Sequence, residues 1–153
     1  MPHYPAGTEV IGIDLCPVML ERARPRAATS PAAVTLVESS ATELPYADAR
    51  FDTVVCVLAL CCMPDDRAAV REMHRALRPG GRLLLLDHIP GSRFPVRVVQ
   101  RLAVPALRLL SSAYHLCRPL RLVERAGFTV VRRERYRLGM VERLVAVKES
   151  AHG

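Results

Sequence analysis

Three apolar runs in this chain end on groups able to do chemistry. Glu9–Leu15 (EVIGIDL) closes on Asp14, the run from Phe51 reaches Cys56–Leu58, and Arg82–Asp87 (RLLLLD) is followed by His88. A carboxylate offers two oxygens and about four lone-pair positions, so a vicinal diol such as a ribose can be held bidentately at Asp14. The alternative for Asp14 is a helix-capping acid ahead of Pro17. Histidine as a residue type changes charge near neutrality, so His88 suits a general base or an acceptor-positioning group; a loop histidine is the alternative. His115 is a second, weaker pocket candidate. Cys16, Cys56, Cys61, Cys62 and Cys117 form no CxxC pair. Neither a zinc site nor a disulfide framework is expected, and no metal is assigned. Cys61 and Cys62 read as packing residues in the apolar run Val54–Met63, where free cysteine acts as a small hydrophobe.

The elements that must position these groups follow from periodicity. Glu9–Leu15, Phe51–Leu60 and Arg82–Asp87 read as buried strands, the pattern of a parallel sheet, and Val34–Glu38 as a further strand among them. Pro17 opens a short helix that runs to Pro25. Ser40-Ala41-Thr42-Glu43 has capping-box spacing and predicts a single helical turn before Pro45. Asp65 and Asp66 start a second helix whose stripe of Ala69, Val70, Met73, Ala76 and Leu77 stops at Pro79-Gly80-Gly81. Phe94–Leu116 reads as a long helical region kinked or divided at Pro105, with Arg93, Arg97, Arg101 and Arg108 along it. Leu120–Arg125 predicts a short helix ended by Gly127. Phe128–Tyr136 and Met140–Lys148 predict an antiparallel strand pair at a sheet edge, turning near Gly139. Strands alternating with helices make an α/β sandwich, and ligands of such sheets sit outside the carboxyl ends of the strands.

Half of the 153 residues are hydrophobic and 24% are charged, enough for one domain with a core, and this excludes fibrous and wholly disordered classes. The net charge of +7 is unevenly spread: residues 1–89 carry 9 basic and 11 acidic groups, and the remaining residues carry 13 and 4. An acidic partner would therefore bind the C-terminal part. Few aromatic residues accompany the arginines there, so nucleic acid is not expected. The arginine series reads as a solvated helix face, with contact to an anionic membrane surface as the functional alternative. The N-terminus has neither the basic nor the apolar region of a signal peptide, and no apolar stretch reaches the roughly 20 residues that span a bilayer. A cytoplasmic protein is the expectation.

The stretches VIGIDLCPVMLERAR, SSATELPYADARFDTVV and MHRALRPGGRLLLLDH together resemble the class I S-adenosylmethionine-dependent methyltransferases of the type 11 / ubiquinone-biosynthesis group. The resemblance is strong over about residues 9–89 and looser through Leu122–Phe128. VCVLALCCMP, LLDHI and Tyr114–Cys117 look most like the alkyl-thiol methyltransferase branch. What this implies is a Rossmann-like sandwich, mostly parallel, with an antiparallel C-terminal strand pair. It also implies S-adenosylmethionine as cofactor, a ribose contact from Asp14, and Met19 against the adenine beside Leu15. The family's Gly-Asp-Ala segment reads Ser39-Ser40-Ala41 here, so Ser40 stands where an acid meets the adenine amino group, with Ala41 after it. Cys56 and Leu58, at the end of the Phe51 strand, complete the implied cofactor set.

The family also places a strand and a glycine-rich GxGxG loop ahead of the acid-ended strand, and only eight residues precede Glu9. Two readings stay open. The true start lies upstream of Met1, as the likeness of Pro2-His3-Tyr4-Pro5 to the stretch after that loop suggests, or the domain is degenerate. The expected organisation is one N-terminally truncated methyltransferase domain over 1–153, with a cofactor-binding part at 9–89, an acceptor-side helical region at 90–127 and a strand pair at 128–148. The expected function is methyl transfer to a small-molecule acceptor (a thiol, a phenol or quinone, or a lipid-like molecule). A non-catalytic binding domain or inactive truncated methyltransferase is the alternative. A nicotinamide dehydrogenase also uses an acid after its second strand, but the Leu77–Gly81 turn and the C-terminal strand pair argue against it. The acceptor atom and the oligomeric state are not specified by the sequence.

Overall fold

A proline in the first turn of one helix and a capping aspartate at the other set the two principal helices, and the apolar runs pair into two sheets. The computed structural model describes residues 4–90, 98, 102, 117–137 and 139–150. The expected helical region over 94–116, with Arg93, Arg97, Arg101, Pro105, Arg108 and His115, lies outside the described residues apart from positions 98 and 102. The chain divides into two units, residues 1–45 and 46–153.

In the first unit β1 (Glu9–Asp14) and β2 (Ala33–Glu38) pair in parallel, from Glu9 opposite Ala33 to Asp14 opposite Glu38. The crossover is α1 (Pro17–Ala28), which starts at Pro17 because that residue has no N–H to leave unpaired in a first turn. The helix does not stop at Pro25 as expected. It passes through, giving up one backbone bond, and the Thr29 hydroxyl donates to the Pro25 carbonyl at its end. Residues of β1 are half-buried rather than buried on both faces, since β1 has a single partner strand in a two-stranded sheet.

The second unit is a four-stranded sheet in the order β3-β4-β6-β5, with β3 (Phe51–Val57), β4 (Leu77–His88), β5 (Phe128–Tyr136) and β6 (Val141–Lys148). β3 and β4 are parallel; β6 lies antiparallel to β4 and to β5. The C-terminal pair is thus an antiparallel edge, with β5 outermost. Along β4 and β6 alternate residues are covered: Leu83 faces Ala146, Leu85 faces Leu144, and Asp87 faces Glu142, all buried. Helix α2 (Asp66–Ala76) buries Ala69, Val70, Met73 and Ala76, and Asp65 caps it by accepting from the Ala68 N–H at 2.8 Å. Helix α3 (Pro119–Arg125) buries Val123 and ends ahead of Gly127, whose φ of +92° favours glycine. Fully buried Leu60, Leu77, Leu83, Leu85 and Leu144 carry this core, each contributing about 1.5–3 kcal/mol. Lys148 ties the end of β6 to the end of α2, its ammonium donating to the carbonyls of His74 and Leu77, both at 2.8 Å.

Four further expectations are corrected. The strand from Phe51 ends at Val57, not Leu60; Leu60–Cys62 form a 3-10 turn, because Leu58 adopts φ +53° and breaks the extended chain. This strand is not buried on both faces: Val55 and Val57 are 44% and 53% exposed, while Cys56 between them, on the opposite face, is buried. β4 begins at Leu77, so Pro79-Gly80-Gly81 is not a turn ahead of the strand but a bulge in its pairing with β3, between Leu77 opposite Phe51 and Arg82 opposite Thr53. Finally, the Ser40 hydroxyl accepts from the Thr42 N–H rather than from Glu43, giving a turn and no helix.

Candidate functional site

The first unit presents Asp14 at the carboxyl end of β1. Its Oδ1 accepts from the Cys16 N–H at 2.8 Å, and its backbone carbonyl accepts from the Ser39 N–H at 3.2 Å. The carboxylate is thereby fixed in orientation, and among the described residues its second oxygen has no protein partner. Leu15 and Met19 are 63% and 49% exposed, apolar surface on the stretch that follows Asp14. Ser40 lies just beyond β2. Its Oγ accepts from the Thr42 N–H at 3.2 Å and shares a 2.7 Å hydrogen bond with the Thr42 hydroxyl. Ala41, in the same turn, is half-buried. The fold therefore gathers Asp14, Leu15, Met19, Ser40 and Ala41 around the carboxyl ends of one parallel strand pair.

In the second unit the carboxyl ends of β3 and β4 lie side by side. Leu58 is held in its left-handed conformation by a 2.7 Å bond from its N–H to the Leu86 carbonyl, and its side chain is exposed. Two residues earlier, Cys56 points into the covered face, where burial first and the Asp87 carboxyl second push its thiol up to about 12. After Leu58 the 3-10 turn delivers Cys61 to the end of β4, where its N–H donates to Asp87 Oδ2 at 3.1 Å. The other oxygen, Oδ1, accepts from the His88 N–H at 2.7 Å. Burial, reinforced by a hydrogen bond to Asp87, raises the Cys61 thiol; burial likewise raises Cys117, whose sulfur donates to the His88 carbonyl at 3.4 Å. These thiols are protonated and protected, so they are poor nucleophiles. His88 is half-buried, with a ring nitrogen within 4.8 Å of both the Cys61 sulfur and an Asp87 oxygen.

Sequence reasoning noted Asp87 at a strand end without singling it out as a site residue, and it passed over Glu142; both acids are fully covered. Glu142 is gripped by Arg133 and Arg135, at 2.8 and 3.0 Å, from the neighbouring strand. The period-two reading of RLLLLDH already carries the signal for Asp87, because it puts that residue on the face of Leu83 and Leu85.

A family described as "Methyltransferase domain" matches residues 2–85. Among curated proteins, the chain is 40% identical over 82 residues to a demethylmenaquinone methyltransferase from Deinococcus radiodurans, covering 54% of this chain and 34% of that protein. It is 31% identical over 103 residues to a phosphatidylethanolamine N-methyltransferase from Cereibacter sphaeroides, covering 66% of this chain and 51% of that protein. The chain thus spans between a third and a half of these relatives' length. Among solved structures, a SAM-dependent methyltransferase from Thermotoga maritima superposes with a TM-score of 0.72 at 21% identity, over 96% of this chain and 84% of that one. At that identity the likeness speaks for the Rossmann-like α/β fold alone. With more than half of its residues matched by the family, the chain belongs to the class I S-adenosylmethionine-dependent methyltransferases.

Proposed function

We propose that this protein transfers a methyl group from S-adenosylmethionine to a small-molecule acceptor of quinone, phenol, thiol or lipid-like type. The observation that carries the reading is the Asp14 carboxylate, pinned on one oxygen by the Cys16 N–H and open on the other at the carboxyl end of a parallel strand. That is the arrangement a ribose diol needs, and the residues around it fit the cofactor. Exposed Leu15 and Met19 offer apolar surface to the adenine ring. Ser40 retains lone-pair capacity for the adenine amino group beside its bond to Thr42, and Ala41 leaves room for the ring edge. The family resemblance extends the cofactor role to Cys56 and Leu58 in the second unit, Leu58 through its exposed side chain. S-adenosylmethionine, when bound, supplies the methyl carbon of its sulfonium. His88 is the residue that would orient the acceptor and take its proton, with S-adenosylhomocysteine as the leaving group.

The relatives' names favour a quinone or a phospholipid among acceptors. An acceptor dissolved in a membrane suits contact between the arginine-rich C-terminal part and an anionic surface, and no nucleic acid takes part. Among the described residues no helix is long and apolar enough to cross a membrane. All five cysteines are free, which suits a reducing, cytoplasmic setting.

A second reading, a domain that binds without catalysing, draws on Ser40, which brings no charge to the place where the family keeps an acid. Transfer of labelled methyl from S-adenosylmethionine to a demethylated quinone, a small alkyl thiol and phosphatidylethanolamine vesicles decides between them. Methylation of one acceptor, slowed about a hundredfold in His88→Gln, supports catalysis. Cofactor binding without transfer to any acceptor supports the second reading.

A further inference from the structure

The end of β4 holds a group of side chains of which the proposed methyl transfer uses only His88. Asp87 is fully buried, and among the described residues it forms no ion pair. Glu142 stands directly across from it on β6, and Arg133 and Arg135 are committed to Glu142. A buried carboxyl group beside a second acid calls for a positive charge. Around it stand a sulfur and an imidazole: one ligand atom each from Cys61, Asp87 and His88 lies within 4.8 Å of the others.

We propose that Cys61, Asp87 and His88 form a binding site for a single divalent cation of the zinc class. Zinc takes thiolate, carboxylate and imidazole donors, the thiolate forming as the ion displaces the Cys61 proton to solvent, and three protein ligands with an open fourth position are the set found where the ion meets an outside ligand. Tetrahedral geometry around bonds of about 2.0–2.3 Å sets ligand atoms about 3.3–3.6 Å apart, so the group closes by movements of roughly an ångström. The carboxyl group is already oriented for it. Each Asp87 oxygen accepts one backbone N–H, from Cys61 and from His88, and keeps a lone pair for a metal. Such hydrogen bonds to a ligating carboxylate are the supporting shell that tunes metal sites. Spacing along the chain conceals this cluster, because Cys61 and Asp87 are 26 positions apart and the turn after Leu58 brings them together.

The site stands on its own geometry, whatever the fate of the methyl-transfer reading, and its test is spectroscopic. Tag-free protein, stripped with chelator under a phosphine reductant, is titrated with Co2+. The expected result is one Co2+ per chain, a near-ultraviolet thiolate-to-cobalt charge-transfer band, intense tetrahedral visible bands, and displacement of both by Zn2+. Cys61→Ser and Cys61→Ala each lose the charge-transfer band, and His88→Ala weakens binding about a hundredfold. Cys62→Ser, which alters the exposed neighbouring thiol, keeps the spectrum. Circular dichroism identifies which variants are folded, and the wild-type titration needs no variant at all. Absence of the band in folded wild-type protein overturns the proposal. So does a band that survives in folded Cys61 variants, or one lost equally in Cys62→Ser, which would mark chelation by the adjacent thiols instead.

Discussion

Leu58 sits in a backbone region that costs a side chain about 1–2 kcal/mol, with φ +53° and its side chain 46% exposed, so little burial compensates. The gain is positional: the turn it makes carries the chain off β3 and brings the Cys61 amide to Asp87. Leu58→Gly is expected to unfold in urea within about 1 kcal/mol of wild type or above it, relief of strain offsetting the freedom that glycine adds to the unfolded chain. Leu58→Ile is expected to lose about 1–2 kcal/mol, because a β-branched residue tolerates positive φ worst. A larger loss for glycine than for isoleucine would show that the side chain, not the backbone, matters here. Asp14 makes the complementary point, since its place at the carboxyl end of an apolar strand, where β1 ends, was legible in the sequence. Ser40 is less legible: a hydroxyl can cap Glu43 or Thr42, and the choice depends on the path of the turn.

Between elements the decisive contacts are close approaches of backbone. The bulge at Arg78–Gly81 faces the single residue Asp52, and a Cβ on Gly81 would meet the carbonyl oxygens of Arg78 at 2.8 Å and Asp52 at 3.2 Å. Both are backbone atoms, which cannot turn aside as a side-chain end does, so Gly81→Ala is expected to cost about 2 kcal/mol in thermal or urea unfolding. Gly12 gives the contrast. Its Cβ would meet only the flexible end of Leu36, at 2.9 Å, and Gly12→Ala is expected to cost less than about 1 kcal/mol. Equal costs at the two positions would remove the distinction between backbone and side-chain obstruction. The sequence shows Pro79-Gly80-Gly81 as a breaker but not as a bulge, because its partner Asp52 lies on another strand. Phe51–Leu60 misleads for a related reason: an apolar run of that length has no period to separate strand from turn, and Leu58 alone ends it. The strands Val34–Glu38 and Phe128–Tyr136, bounded by turn residues, were legible nearly to the residue.

Across the molecule, charge and titration separate the parts as composition suggested, with the acidic excess before residue 90 and the arginine excess after it. In the second unit His74 packs edge-on against Phe128, with ring centroids 4.8 Å apart. Burial, then the nearby Lys148 charge, holds its pKa below the ordinary value. The unfolded chain therefore takes up a proton at His74 that the folded chain resists. This contribution to stability is complete above about pH 6.5 and is lost as the pH falls through the folded pKa. His74→Gln is expected to flatten that part of the stability–pH curve, and an unchanged slope would exclude His74 as its source. Family membership follows from the match of residues 2–85 to the methyltransferase family; the identity of the acceptor does not, because it depends on pocket shape. The central claim is that Asp14 holds the ribose of S-adenosylmethionine, and calorimetric titration of the protein with that cofactor tests it most directly. The account predicts a single saturable site that Asp14→Asn weakens about tenfold or more with the fold intact, the loss of a charged hydrogen-bond acceptor. Equal affinity in the two proteins, or no binding by the wild type, would contradict it.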